Sequence, residues 1–268
     1  MVLREEFYFP SSDGEHQVHG IWWLPQDQPP RAMVQLVHGI SEYMGRYDPF
    51  ARFLAEHGFA VAGHDHMDRR FPGLPHFLLG HSMGSFVSRT YLIEHPGTVD
   101  GCLLLGTGQE SPALVAFGKA LSGALCRLRG GRYHSPLVTA LSLGAYNAQF
   151  RPTRTNADWI SRDTAAVDAY VSDPLCRFVP TVGMFRDMMG GLQRIANPKN
   201  LSRMDPRTPV GLFSGDADPV GARGKGVEKV AGFFRRAGCQ DLTVKLYPDA
   251  RHELLNELNR AEVFSDLL

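Results

Sequence analysis

Apolar residues fall along the chain in short runs of two kinds. Near the N-terminus, Glu5 to Pro10 and Gln17 to Pro25 alternate apolar and polar positions on either side of SSDGE. A period of two interrupted by turn residues predicts a β-hairpin. Further on come continuous runs: AMVQLVHG (Ala32 to Gly39), FAVAGHD (Phe59 to Asp65), HFLLGHS (His76 to Ser82), GCLLLGTG (Gly101 to Gly108), PVGLFSGD (Pro209 to Asp216) and LTVKLYPDA (Leu242 to Ala250). Runs without a polar face suit parallel strands covered by helices on both sides. Three segments between them, YDPFARFLAEHG, MGSFVSRTYLIEHP and VEKVAGFFRRAG, carry an apolar stripe at helical spacing and stop near Gly or Pro. Strand alternating with helix predicts an α/β fold with a doubly wound, mostly parallel sheet. Ligands of such sheets bind beyond the carboxyl ends of the strands.

From about Gln109 to Arg207 the alternation stops, and the chain is rich in Leu, Ala, Gly, Phe and Met in helical patterns. This interval is expected to be a mainly helical insertion, with 1–108 and 208–268 forming the core and 109–207 a cap or lid over the strand ends. A second irregularity is a shortage. Only ten residues, HMDRRFPGLP, separate the strand ending near Asp65 from the one starting near His76. A crossover between parallel strands needs roughly a dozen residues or more, usually with a helix. A further segment of roughly thirty residues is therefore expected between about Met67 and Asp68.

Composition narrows the chemistry. Acidic and basic residues are equal in number, 28 of each, with no long run of either sign, so no electrostatic footprint for nucleic acid exists. Cys102, Cys126, Cys176 and Cys239 are far apart and form no C-x-x-C pair, which argues against a zinc ribbon or a redox motif. The opening MVLREEFYFPSSDG has acids where a signal peptide needs its apolar core, and no run reaches membrane-spanning length. A cytoplasmic location is expected.

The run FLLGHSMGSF ends a strand in Gly80-His81-Ser82-Met83-Gly84 and begins a helix at once. This G-x-S-x-G spacing suits a strained turn that lifts a serine hydroxyl above the sheet edge. A serine needs a base, and the base an orienting acid. FSGDADPV offers Asp216 and Asp218 after one later strand, and YPDARHELLNE offers His252 after the next. Donors for a developing oxyanion are expected from the backbone amides of Ile40, after His38-Gly39, and of Met83. The cluster GHDHMD (Gly63 to Asp68) has no second His/Asp cluster to complete a binuclear metal site, and GARGKG (Gly221 to Gly226) lacks the spacing of a phosphate loop. No metal and no cofactor are implied.

His38-Gly39-Ile40-Ser41-Glu42, Gly80-His81-Ser82-Met83-Gly84, Gly215-Asp216-Ala217-Asp218 and Ala250-Arg251-His252 together resemble the α/β-hydrolase family of monoacylglycerol lipases and lysophospholipases, over nearly the whole chain. The resemblance implies an α/β-hydrolase fold with a helical cap, and Asp218, closing G-x-x-D, as the acid, leaving Asp216 as a turn residue. It implies that Glu42 and Arg46, in H-G-x-x-E-x-x-x-R, order the site or bind the alcohol part of the substrate. The expected activity is hydrolysis of carboxylic esters with an apolar acyl chain, monoacylglycerol- or lysophospholipid-like, by Ser82, Asp218 and His252. The expected partner is a small lipid-like ester, with room for peripheral membrane contact through the cap. A peptidase, an acyltransferase or a non-catalytic binding protein on the same frame stays open from sequence, as does the oligomeric state.

Overall fold

A computed structural model of the chain describes residues 1–11, 13–63, 71, 73–176 and 178–268. The expected hairpin is β1 (Val2–Pro10) and β2 (Gln17–Pro25), paired antiparallel from Val2 opposite Pro25 to Pro10 opposite Gln17. Six strands follow: β3 (Ala32–Val37), β4 (Phe59–Gly63), β5 (His76–His81), β6 (Gly101–Leu105), β7 (Val210–Gly215) and β8 (Leu242–Tyr247). They form one eight-stranded sheet in the order β1-β2-β4-β3-β5-β6-β7-β8, parallel from β4 to β8. Leaving aside β4, whose run continues outside the described residues, the regular strands stop short of the apolar runs read from sequence, because the closing turn residues redirect the chain and build the loops above the sheet.

Period two along the strands sends neighbouring residues to opposite faces. Leu79, Leu105 and Phe213 join a core with Phe50 and Leu54 of α1 (Asp48–Glu56) and Val263 of the C-terminal helix. Leu78, Leu104 and Leu212 join a second core with Leu92 and Ile93 of α2 (Met83–Glu94) and with Val230 and Phe234 of the helix after β7. A third, smaller cluster lies over the β2, β3 and β4 end: Trp22, Leu24, Met33, Ala60 and Ala62, with Phe71 and Leu74 packed on it. The expected extra segment near Met67 and Asp68 falls outside the described residues.

Between β6 and β7 the chain runs through helices with no strand among the described residues. The three longest are α3 (Pro112–Arg129), α4 (Thr164–Ser172) and α5 (Val182–Ile195). Each starts at a side-chain cap that accepts a backbone N–H: Ser111 from Leu114, Asp163 from Ala165, Thr181 from Met184. Leu192 and Ile195 of α5 enter the second core, which roots this insertion in the sheet. Two further helices, α6 (Lys225–Arg236) and α7 (Arg260–Leu267), complete the layers. β3 lies between β4 and β5, so the chain leaves β3 in one direction and returns on its other side. That reversal opens a crevice at the carboxyl ends of β3 and β5, where the loop after Val37 and the turn at Ser82 meet.

Candidate active site

Ser82 joins β5 to α2 with φ 54° and ψ −121°, a region that side chains other than glycine's rarely occupy. Its neighbours hold it there. The Ser82 N–H donates to the Leu105 carbonyl at 2.9 Å, and the Ser82 carbonyl accepts from the Ser85 amide and hydroxyl at 2.9 and 2.6 Å. The flanking glycines have a steric reason. A Cβ on Gly84 would lie 2.0 Å from the Val37 carbonyl oxygen, and one on Gly80 would lie 2.5 Å from the Gly84 carbonyl oxygen. Without side chains there, α2 crosses directly over the sheet.

Asp218 and His252 come from the loops after β7 and β8. The Asp218 carboxylate, fully buried, faces His252 Nδ1 at 3.0 and 3.1 Å and accepts from the Ser214 hydroxyl at 3.2 Å and the Val220 amide at 2.9 Å. Four contacts leave this carboxylate one orientation, and it fixes the imidazole with Nε2 turned away. Asp216 is placed differently: it is exposed and accepts the Asp249 amide at 2.7 Å, tying together the turns after β7 and β8.

Ser82, Ile40, Met83, Tyr146 and Trp159 line one cavity of about 80 Å³. Trp159, on the wall of this cavity, has its ring on the His252 ring with centroids 4.9 Å apart. Ile40's N–H has no acceptor among the described residues, and Met83's, at the first position of α2, has no helical one. Glu110, Ser142, Tyr146, Phe185 and Met189 line both this cavity and an adjoining one of about 540 Å³, whose walls include Leu114, Phe117, Leu121, Val138 and Leu141.

Glu42 and Arg46 do not line either cavity. Glu42, 6 % exposed, accepts from the Gly39 amide, from Tyr47 Oη at 2.9 Å and from His81 Nδ1 at 2.9 Å. His81 Nε2 is 3.3 Å from the His252 carbonyl oxygen. Burial alone would lower the His81 pKa, but the Glu42 charge and hydrogen bond outweigh it and raise the pKa above its ordinary value, and both ring nitrogens face acceptors. Burial pushes Glu42 upward, and His81 with Arg46 outweighs it, holding the carboxyl below its usual range. Arg46 binds the Glu253 carboxylate and lies over the Tyr170 ring at 4.9 Å. Sequence reasoning missed Tyr146, Trp159 and Glu253. A lone tryptophan in the insertion and an acid directly after His252 were the signals available.

The chain matches the family model described as serine aminopeptidase, S33, over residues 28–69 and 65–259. It is 29 % identical to human monoglyceride lipase over 88 % of this chain and 80 % of that protein. To the monoacylglycerol lipase of Mycolicibacterium smegmatis it is 28 % identical, over 98 % and 95 %. The crystal structure of a thermostable carboxyl esterase from Bacillus coagulans with glycerol superposes with a TM-score of 0.90 at 26 % identity, covering 98 % of this chain and 96 % of that one. The human alignment spans 269 positions yet draws on 88 % of this chain, so about thirty of its positions have no counterpart here. The family model matches in two segments that overlap at residues 65–69. With a serine at the strand-to-helix turn, an Asp–His pair on later loops and a family model covering most of its length, the chain belongs to the serine aminopeptidase S33 family of α/β-hydrolases.

Proposed function

We propose that the protein is a serine esterase that cleaves carboxylic esters with an apolar acyl chain, of monoacylglycerol or lysophospholipid type. The ester-hydrolase class rests on the family and on the lipase and esterase relatives; the substrate and the residue assignments are our reading. One observation carries it: Ser82, in a conformation fit for glycine, borders an apolar cavity whose wall, Trp159, lies on the ring that Asp218 orients. Ser82 Oγ attacks the ester carbonyl while His252 Nε2 takes its proton, and the amides of Ile40 and Met83 hold the oxyanion. The tetrahedral intermediate collapses, His252 returns the proton to the departing alcohol oxygen, and the acyl group stays on Ser82. Water, deprotonated by His252, then releases the acid by the same steps. A cavity of 80 Å³ cannot hold a long chain, so in this reading the acyl tail extends past the residues shared by both cavities into the 540 Å³ chamber.

In this reading residues 109–207 are the cap, and 1–108 with 208–268 the catalytic core. Leu114, Phe117 and Leu141, each more than half exposed beside the larger chamber, make peripheral contact with a lipid surface, while the protein works in the cytoplasm. No helix among the described residues is long and apolar enough to cross a membrane. Glu110 favours a second reading: on the wall shared by the two cavities, it forms no side-chain ion pair among the described residues, and it could receive the ammonium of an aminoacyl substrate. A fluorophosphonate probe tests the nucleophile, since it must label wild type and spare Ser82→Ala. A panel of monoacylglycerols, lysophospholipids and aminoacyl anilides then decides the substrate. Turnover of the anilides alone would replace the esterase reading with a peptidase.

A further inference from the structure

The insertion does more than cover Ser82. Its arm from Asp158 to Arg162 is bound to the loop carrying His252 by a dense set of hydrogen bonds. The Glu253 amide donates to the Ile160 carbonyl at 2.7 Å, and the Ser161 hydroxyl to the Asn256 carbonyl at 2.8 Å. Arg251, directly before His252, donates to the carbonyls of Asp158 and Ser161. At the centre stands Glu257, whose fully buried carboxylate no step of ester cleavage uses. It accepts from the Arg162 amide and Nε, both at 3.0 Å, on the arm side. On the histidine side it accepts from the amides of Arg251 and Leu258, both at 2.9 Å.

A buried carboxylate left unpaired costs several kcal/mol, so it persists where its acceptors are all used. Here the donors come from two segments about 95 residues apart, and satisfying Glu257 requires both to be in place. The arm then sets Trp159 on the His252 ring, with Tyr146 behind it at 5.3 Å. Resting on the esterase reading, we propose that residues 158–162 are a clasp that positions His252, with Glu257 as its knot and Trp159 as its cover. Arg162, Glu257 and Trp159 are thus positioning residues, acting through the histidine.

The test uses the full chain, wild type against Arg162→Met, Glu257→Gln, Trp159→Leu and Trp159→Phe. p-Nitrophenyl acetate is the substrate, because its acetyl group does not reach the larger chamber. Arg162 is partly exposed, so Arg162→Met keeps its stem and the fold even if Glu257→Gln does not. Arg162→Met and Trp159→Leu are expected to speed hydrogen–deuterium exchange in residues 251–258 and to lower kcat by about 10- to 100-fold, with KM unchanged. Trp159→Phe, which keeps a ring on the imidazole, recovers most of the loss. A raised KM with intact kcat would make Trp159 a pocket wall only and overturn the proposal, as would unchanged exchange in Arg162→Met. A wild-type chain that turns over no ester sinks the esterase reading instead, and the exchange comparison then decides the clasp by itself.

Discussion

Replacing Ser82 by glycine should make the protein more stable than replacing it by alanine, the reverse of the usual order. Both variants remove the hydroxyl, so their difference isolates the backbone. At ordinary positions Ala exceeds Gly by about 0.4–1 kcal/mol, because glycine loses more freedom on folding. At φ 54° and ψ −121° a residue with a Cβ carries strain of roughly 1–3 kcal/mol that glycine does not. Subtracting the entropic disadvantage leaves Ser82→Gly ahead by roughly 0.5–2 kcal/mol. For a chain of this length that is a Tm difference of about 1–6 °C. Thermal scans and urea titrations of the two variants measure it, and neither should react with a fluorophosphonate. If Ser82→Ala equals or exceeds Ser82→Gly in stability, the turn is not strained and its conformation cannot serve as evidence for a poised nucleophile.

Asp218→Ala should lower kcat by about 10⁴-fold, whereas Asp216→Ala should cost only about 1 kcal/mol of stability through its bond to the Asp249 amide; equal losses of activity would reassign the acid. Gly84→Ala should destabilise by about 3 kcal/mol or more, since its Cβ meets backbone at 2.0 Å, and a urea midpoint near wild type would contradict the packing of α2 on β3. The Glu42–His81 pair should contribute most between the ordinary values of 4.5 and 6.5. Glu42, held low, loses its contribution as pH falls through its folded value, and His81, held high, loses its own as pH rises through its folded value. The stability–pH curve of His81→Gln should therefore be flatter above pH 6.5 than that of wild type; curves of the same shape would show that His81 is neutral in the fold.

The sheet could be read in advance because each parallel strand is a local apolar run with turn residues at its end, a signal carried within six to eight residues. Ser82, Asp218 and His252 could be singled out for a related reason: each stands directly after such a run, where loops converge. What sequence could not give are contacts between distant segments. Nothing local in HGISEYMGR tells a surface ion pair from a buried one, and only the fold brings Glu253, more than two hundred residues later, against Arg46. The meeting of Trp159 with His252 is of the same kind, since no periodicity links positions that the insertion brings together across the crevice.

Placing Glu42, Arg46, His81 and Glu253 together inside the protein changes what the first two can do. Each ion alone would cost several kcal/mol to bury, but here the Glu42 and Glu253 carboxylates face the Arg46 guanidinium, and Glu42 also faces the His81 ring, whose pKa it raises. Such a set is stable only as a whole, and its members come from three segments: the stretch after β3, the end of β5 and the loop after β8. Glu42 binds the Gly39 amide beside Ile40, His81 precedes Ser82, and Glu253 follows His252. Loss of one member leaves an uncompensated charge for the others and shifts whichever loop carries it. The spacing of Ile40, Ser82 and His252, to which the proposed mechanism gives the oxyanion, nucleophile and base roles, thus depends on one electrostatic unit behind them. A substrate alcohol drawn to Glu42 or Arg46 would compete with bonds the site needs to keep its shape. We therefore read Glu42 and Arg46 as holding these three segments in register rather than as contacts for the leaving group.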